Sequence, residues 1–189
     1  MTSLISNLTI VALFMFIDHS YLLGQSNKKV SNKNYYEFIN EIVVSDSVMQ
    51  FNLASEPDFK HILDDTSFIF RDTTFFSSGD AQFMRQQLTQ GKHFKWKSNR
   101  ITGAHVISSK KIRKYFKNDI WDGWKIFNKK HRRGFTKFSI PLFTLDRETC
   151  IIYKGRHCGS LCGGGGIYLY KKVEGKWEYV TTIGTIWMS

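Results

Sequence analysis

The sequence predicts an α+β domain in which N-terminal helices pack on a C-terminal antiparallel β-meander of about four strands. Apolar residues recur at helical spacing before Gly134, and beyond it they alternate with polar residues as they do in strands. Of the 189 residues, 42% are hydrophobic and 15% aromatic, which excludes a disordered chain and predicts a buried core. Helices that precede strands favour an α+β fold over a parallel α/β fold.

Residues 1–25 have the composition of a secretory signal peptide. The segment 4–17 is apolar and uncharged, and Asp18 ends it well short of the roughly 20 apolar residues that span a membrane. An uncleaved anchor from Leu4 to Leu23 is the alternative. Cleavage predicts a protein that is exported to the periplasm or the extracellular space and that retains no stable transmembrane span.

Residues 26–34 are polar and are predicted to form a flexible lead to a single domain at 35–189. The domain is expected to begin with an amphipathic helix, because apolar residues recur at helical spacing from Tyr35 to Val43. Ser31 and Asn34 are candidate caps for this helix.

Three further helices are expected before the strands begin. One starts at Asp80 as N-cap and ends at Gly91. Ser108 and Ser109 cap the next helix, and Asp119 caps the last. The last helix is expected to turn its apolar side chains inward, namely Trp121, Trp124, Ile126 and Phe127.

Two short strands are predicted among these helices, one at residues 67–70 and one around Phe94 and Trp96, which alternate with lysines. The four strands of the meander are expected at 135–143, 148–156, 166–173 and 176–187. A long glycine-rich connection at 157–165 is predicted to join the second of these strands to the third.

The net charge of +11 is concentrated in one quarter of the chain. Residues 92–137 contain 15 Lys and Arg against two Asp, whereas the remainder is slightly negative. Such a cluster fits a solvated surface, an anionic envelope surface or polysaccharide, or the phosphates of a nucleic acid. Nucleic acid is the least favoured, because tryptophans at helical spacing are more typical of a core than of base stacking. The binding candidates are Lys110, Lys111, Arg113, Lys114, Lys129, Lys130, Arg132, Arg133, Trp96 and Trp187.

The most specific motif is the pair Cys158 and Cys162 in the glycine-rich segment. In an oxidising compartment two cysteines at this spacing predict a local disulfide, and the glycines supply the positive φ values of a tight turn. Such a small ring contributes about 2 kcal/mol. The third cysteine, Cys150, lies in an apolar strand and is expected to be a buried free thiol.

The same segment allows three chemical roles. His157, Cys158 and Cys162 could bind a metal, but zinc sites usually add a distant second pair of ligands, and no metal or other cofactor is predicted. Cys158 could be a nucleophile with His157 or His131 as its base, in a small hydrolase or transferase. The glycines could cradle a phosphate, although neither a Lys-Ser/Thr pair nor a helix follows them.

The C-terminal half contains four distinctive motifs, FSIPLF at 138–143, HCGSLCGGG at 157–165, GKW at 175–177 and WMS at 187–189. Together they resemble an uncharacterised family of small exported bacterial proteins. The helices that contain Asp80 and the pair Trp121 and Trp124 are also similar, so the resemblance spans about residues 65–189. It implies export and a shared fold. The family has no assigned activity, so the resemblance implies no catalytic residue.

At the level of fold, helices followed by a curved sheet with a Gly-x-Trp turn in the last hairpin are similar to nuclear-transport-factor-like and cystatin-like domains. These scaffolds include both enzymes and binding modules. The sequence predicts a non-enzymatic exported module that binds a small ligand or an envelope partner on a concave sheet face. A pocket lined by Trp96, Trp121, Trp187 and residues 163–166 would fit this function. The small hydrolase or transferase is the alternative.

Overall fold

The computed structural model of the protein describes residues 29–45, 50–69, 74–131 and 134–189. The chain separates into two compact units, Met1–Val30 and Ser31–Ser189. The signal peptide predicted at 1–25 lies outside the described residues. The second unit contains every described helix and strand.

The described part of the second unit forms five α-helices and seven β-strands. The helices are α1 (Asn32–Ser45), α2 (Phe59–Ile69), α3 (Ser78–Gln90), α4 (Ser109–Tyr115) and α5 (Ile120–His131). The strands are β1 (Phe51–Ala54), β2 (Ala104–Ile107), β3 (Phe135–Phe138), β4 (Leu142–Phe143), β5 (Thr149–Gly159), β6 (Cys162–Val173) and β7 (Lys176–Met188).

All seven strands belong to one open, mixed sheet with the order β2-β1-β3-β5-β6-β7, and β4 pairs with β5. β1 pairs in parallel with both β2 and β3, whereas the remaining pairs are antiparallel. The α+β class is confirmed, but the prediction of about four strands is wrong. β1 and β2 have four residues each and pair with distant parts of the chain, so no local pattern announces them.

The C-terminal meander differs from its prediction in two places. The strand expected at 135–143 is divided into β3 and β4, because Pro141 between them has no N–H to donate to a ladder. The connection expected at 157–165 is a continuous hairpin instead. β5 and β6 pair as far as Gly159 and Cys162, so only two residues remain for the turn.

Helices α2, α4 and α5 cover one side of the sheet. His61 of α2 stacks on Tyr153 with 4.5 Å between ring centroids, and Trp124 of α5 stacks on Phe135 at 5.7 Å. The helices α4 and α5 share a core cluster with β1, β2 and β3, formed by Ala54, Ile107, Ile112, Trp124, Phe127 and Phe135. This cluster holds the basic helices against the sheet.

Helices α1 and α3 cover the other side. Phe38 of α1 packs edge-on against Phe143 and Tyr170, with ring centroids 5.8 and 5.4 Å apart. Trp96 packs on this side too, edge-on against Tyr36 and Phe94, and it is only 2% exposed. The predicted strand around Trp96 is wrong, because residues 94–97 form an extended segment outside the sheet.

The helix boundaries agree largely with the sequence. Gly91 ends α3, and the Ser108 hydroxyl accepts a hydrogen bond from the Lys111 N–H at the start of α4, as predicted. Asp119 likewise accepts a hydrogen bond from the Asp122 N–H at the start of α5. The Ser31 hydroxyl also accepts a hydrogen bond from the Asn34 N–H at the start of α1, so ordinary capping preferences place four of the five predicted helix ends.

Two predictions on α2 and α3 are wrong. Residues 67–69 belong to α2 rather than to a strand. Ser77, not Asp80, is the N-cap of α3, and Asp80 is its partner in a capping box. The Ser77 hydroxyl accepts from the Asp80 N–H, and the Asp80 carboxylate accepts from the Ser77 N–H.

The expected inward face of α5 is only half correct. Trp124 and Phe127 are buried, but Trp121 and Ile126 are 61% and 49% exposed. Side chains five residues apart on a helix differ by about 140° in direction, so Trp121 and Ile126 do not share a face.

Gln87 of α3 fastens that helix to β4. Its side-chain amide donates to the Phe143 carbonyl at 2.7 Å and accepts from the Phe143 N–H at 3.0 Å. Gln87 is buried, so these two hydrogen bonds satisfy backbone groups that water does not reach.

We expect Gln87→Ala to lower the free energy of unfolding by roughly 2–4 kcal/mol, because it leaves both polar groups of Phe143 buried without partners. Urea unfolding measures the difference. Gln86→Ala, one residue away and exposed, is the control and should change stability by less than about 0.5 kcal/mol. Equal effects of the two substitutions would contradict this role for Gln87.

Candidate functional site

The glycine-rich hairpin of β5 and β6 ends in the predicted disulfide. Cys158 and Cys162 are joined, with Cα atoms 5.1 Å apart, and Cys150 is a free cysteine buried in β5. Asn128 of α5 donates to the Cys158 carbonyl at 3.0 Å and accepts from the Gly134 N–H at 3.1 Å. The closed tip of the hairpin is thereby attached to α5.

The glycines of this hairpin make room for Trp187 of β7. A Cβ atom on Gly163 would lie 3.2 Å from the Trp187 ring, and one on Gly165 would lie 2.9 Å from Trp187 Nε1. A Cβ on Gly155 would meet the Tyr153 hydroxyl at 2.3 Å. The glycine run is therefore a strand surface on which aromatic rings lie, and not the loop that the sequence predicts.

A row of stacked rings lies on this surface. His157 stacks between Phe135 and Trp187, with 5.1 Å to each ring centroid, and His61 lies between Trp187 and Tyr153. The Trp187 indole N–H donates to the Tyr153 hydroxyl at 2.9 Å. Burial raises the pKa of Tyr153 to about 12, so its hydroxyl stays protonated near neutral pH.

His157 is held in its neutral form. Burial, together with the nearby charge of Lys137, lowers the pKa of His157 to about 4, and its Nε2 atom is buried without a hydrogen-bond partner. The disulfide occupies both sulfurs of the proposed metal set and removes the thiol of Cys158. Among the described residues, no group of three or more His, Cys, Asp or Glu is arranged to hold a metal ion.

Asp58 forms a charged cluster beside these rings that the sequence does not announce. Its carboxylate caps α2 through the His61 N–H, lies 3.1 Å from His61 Nδ1 and pairs with Lys137 at 3.3 Å. Burial raises the pKa of Asp58, but Lys137 and His61 outweigh it and lower the pKa below its usual range. An Asp followed by a His three residues later is a capping signal, and it gives no hint of the contacts with β3 and β5.

The basic helices α4 and α5 form the second candidate region. Glu56 anchors the start of α4, because its carboxylate accepts from the Ser109 N–H at 2.8 Å. Burial raises the pKa of Glu56, but hydrogen bonds from Ser109 and Ser55 lower it to about 2. The α5 end is fixed by Asn52 of β1, whose amide donates to the backbone carbonyls of His131 and Gly134. Both helices are therefore held in place without their lysines.

An open groove of about 700 Å³ separates α4 from α5. Its lining comprises Lys111, Lys114, Tyr115, Asn118, Asp119, Asp122, Gly123, Ile126 and Lys130. Within the described ranges, no Lys or Arg of α4 or α5 lies within 4.0 Å of a carboxylate, since the ion pairs of this protein lie elsewhere. The groove lining therefore has three lysines against two aspartates, and none of these lysines is paired with a carboxylate of the described residues.

His131 lies behind this groove and not beside Cys158. Its Nε2 atom is 3.1 Å from the Tyr115 hydroxyl, and its ring is 6.2 Å from that of His105. Burial and the charges of Lys111, His105 and Lys130 lower the pKa of His131. Burial is the larger cause, and the three positive groups act in the same direction.

The remaining predicted binding residues are not gathered in one place. Lys110, Arg113 and Lys114 are exposed on α4 and Lys129 on α5, in agreement with a basic surface. Trp96 belongs to the core on the other side of the sheet, Trp121 is exposed on α5, and Trp187 belongs to the ring row. Because Trp96 lies on the opposite side of the sheet from Trp121 and Trp187, the three do not line one pocket, and Trp96 fills the core instead. Arg132 and Arg133 lie outside the described residues.

No protein-family model, curated protein or solved structure matches this chain. The resemblance to small exported bacterial proteins, and the one to nuclear-transport-factor-like and cystatin-like folds, therefore stay predictions. None of the described helices is long and apolar enough to cross a membrane.

We expect His157 to make stability depend on pH in a defined window. Its pKa is about 4 in the folded protein and about 6.5 in the unfolded chain, so the unfolded chain takes up the proton first. The stabilisation is complete above about pH 6.5 and falls as the pH drops to about 4, by roughly 2 kcal/mol after allowance for partial exposure. Urea unfolding at several pH values measures it.

The ring-preserving variant His157→Phe should lose most of this dependence between about pH 6.5 and 4, and His131, whose pKa is also lowered, should account for a smaller remainder. His93→Gln, which changes an exposed histidine, should retain it. Asp58 and Glu56 also contribute to the free energy of unfolding, but they lose this contribution at a lower pH than His157 does, because the pKa values of their carboxyl groups are lowered. An unchanged slope in His157→Phe would show that His157 is not the group that titrates.

Proposed function

We propose that this protein is an exported, non-enzymatic binding module that docks through its α4 and α5 helices on an anionic surface of the cell envelope. The observation that carries the proposal is the group of exposed, unpaired Lys and Arg side chains on these two helices. Positive charge without a protein partner favours binding to an external anion.

Two observations that do not involve the basic surface favour export. The disulfide between Cys158 and Cys162 fits an oxidising compartment, and residues 1–25 have the composition of a secretory signal. Outside the cytoplasm the abundant polyanions are lipid headgroups and acidic polysaccharides. Both attract a basic surface through screened electrostatics.

Two observations favour a binding role over the alternatives. Sequence-independent binding of single-stranded nucleic acid uses a series of exposed aromatic rings as stacking platforms. Of the three tryptophans in the basic segment, Trp96 and Trp124 are buried and Trp121 alone is exposed, so this segment offers one tryptophan ring rather than a series. The hydrolase or transferase alternative needs either the Cys158 thiolate or a metal held by His157, Cys158 and Cys162, and the disulfide occupies both sulfurs. Oxidation of this pair therefore supports a structural role for Cys158.

We expect the double variant Lys110→Glu and Lys129→Glu to bind anionic vesicles at least about tenfold more weakly, since each lysine near such a surface contributes about 1 kcal/mol. Sedimentation with vesicles of phosphatidylcholine and phosphatidylglycerol measures the affinity, and dextran sulfate tests a polysaccharide-like polyanion. Binding of the native chain should weaken as salt is added.

The control is Lys171→Glu with Lys176→Glu, which changes the net charge equally but on exposed positions of β6 and β7. This control should lose much less affinity than the α4 and α5 variant. Equal losses would show that only net charge matters, and no binding of the native chain to either polyanion would overturn the proposed function.

Export has a separate test. Protein recovered from the envelope or medium of the producing cell should lack residues 1–25 by intact mass. Thiol labelling after denaturation without reductant should modify only Cys150. Recovery of the full-length chain from the cytoplasm, with all its cysteines labelled, would contradict export.

A further inference from the structure

We infer that the groove between α4 and α5 is a binding site for a phosphate monoester, held by Lys111, Lys114 and Lys130. This inference rests on the proposed function, because it names the chemistry that the basic surface would bind. Nothing in the sequence singles out these three lysines among the 15 Lys and Arg of residues 92–137. They are distinguished by their position in the groove.

The first argument is geometric. Lys111 and Lys114 come from α4 and Lys130 comes from α5, so lysines from both helices line the groove. Asn118 also lines the groove, but it lies next to Asp119 at the acidic end. The volume of about 700 Å³ accommodates a phosphate together with the group that is esterified to it.

The second argument concerns the two acids that line the same groove. Asp119 uses its carboxylate as the cap of α5, and Asp122 lies in the first turn of that helix. Eight residues separate Asp122 from Lys130, a helical rise of about 12 Å. The acids therefore lie toward one end of the groove, and the end beside Lys130 remains positive.

The third argument is the polar group behind the lysines. The Lys130 ammonium lies 5.8 Å from the centre of the Tyr115 ring, and the Tyr115 hydroxyl contacts His131 Nε2. His105 lies beside His131 on the adjoining strand β2. The groups that face His131 are thus cationic or neutral, and an anion in the groove would relieve their mutual repulsion.

The chemistry favours a phosphate monoester over other anions. Its second ionisation has a pKa of about 6, so positive potential near neutral pH favours the dianion, which offers three acceptor oxygens. A phosphodiester such as phosphatidylglycerol carries only one charge. Lysine ammonium groups bind phosphate as compact charges without a fixed geometry, which suits a group approached from two helices.

The test uses the full oxidised chain and inorganic phosphate as the probe. Histidine-ring NMR follows the titration of His131, whose pKa should rise by roughly one unit when phosphate binds. Sulfate, a dianion that does not take up a proton near neutral pH, shows how much of the rise is due to charge alone. No displacement of the His131 titration by phosphate would overturn the site.

Variants separate the groove from the surface around it. Lys111→Gln with Lys130→Gln should weaken phosphate binding at least about tenfold, equivalent to ~1.4 kcal/mol. Lys110→Gln with Lys129→Gln removes the same charge from the same helices outside the groove lining and should weaken phosphate binding much less. Equal losses in the two variants would refute a defined site. Circular dichroism checks that both variants fold.

Binding to vesicles then shows whether the phosphate monoester belongs to a lipid or to a free compound. It also separates a failure of the phosphate site from a failure of the proposed function. Preference for phosphatidic acid over phosphatidylglycerol, lost in the groove variant, supports a lipid monoester. A response to phosphate without binding to any vesicle or polysaccharide supports a free phosphorylated compound and overturns envelope docking. Binding to all polyanions without a response to phosphate preserves the proposed function and overturns the phosphate site.

Discussion

The position of β5 within the sheet determines where the other features of the protein lie. β5 pairs with β3 and β4 along one edge and with β6 along the other. One side of it carries Tyr153 and His157, on which the ring row is built, and the other carries the buried Cys150. Alternate residues of β5 point to opposite sides of the sheet. A shift of one residue in its pairing would therefore move the side chains of each side to the other. The pairing of β4 with Cys150 and the disulfide at Cys158 fix this register near both ends.

The same strand sets the position of the basic helices. His157 of β5 stacks on Phe135, and Phe135 in turn stacks on Trp124 of α5. Asn128 adds a hydrogen bond from α5 to the hairpin tip beside the disulfide. A helix of seven or twelve residues is marginal alone in water, so α4 and α5 depend on this aromatic core for their stability. Their outer faces are consequently free of any role in holding the fold.

The sequence predicts the features that depend on neighbouring residues and misses those that depend on distant ones. Most helix caps, the disulfide and three of the four C-terminal strands follow from local patterns and are present, whereas the N-cap of α3 and the division of the strand at 135–143 differ from the prediction. The strand nature of the glycine run could not be predicted, because glycine disfavours strands unless a large ring such as that of Trp187 needs the space. The number and position of the lysines and arginines in the sequence predict the basic surface. The groove, which distinguishes Lys111 and Lys130 from the other lysines, could not be predicted, because it depends on how α4 and α5 pack against each other.

Like charges on the adjacent helices α4 and α5 repel one another. Arg113, Lys114, Lys129 and Lys130 lie in the last turns of these helices, where the helix dipole favours cations, and this partly offsets the repulsion. Burial is the main cause of the lowered pKa of His131, and the charges of Lys111, His105 and Lys130 add to it. The aromatic cluster, Glu56 and Asn52 already hold the two helices, so the lysines add nothing that the fold needs. An anion that binds from outside the protein would offset the repulsion among these charges, and such binding would explain why they are present. For this reason the function that we propose is assigned to the α4 and α5 surface, and the disulfide and the ring row are the structure that supports this surface.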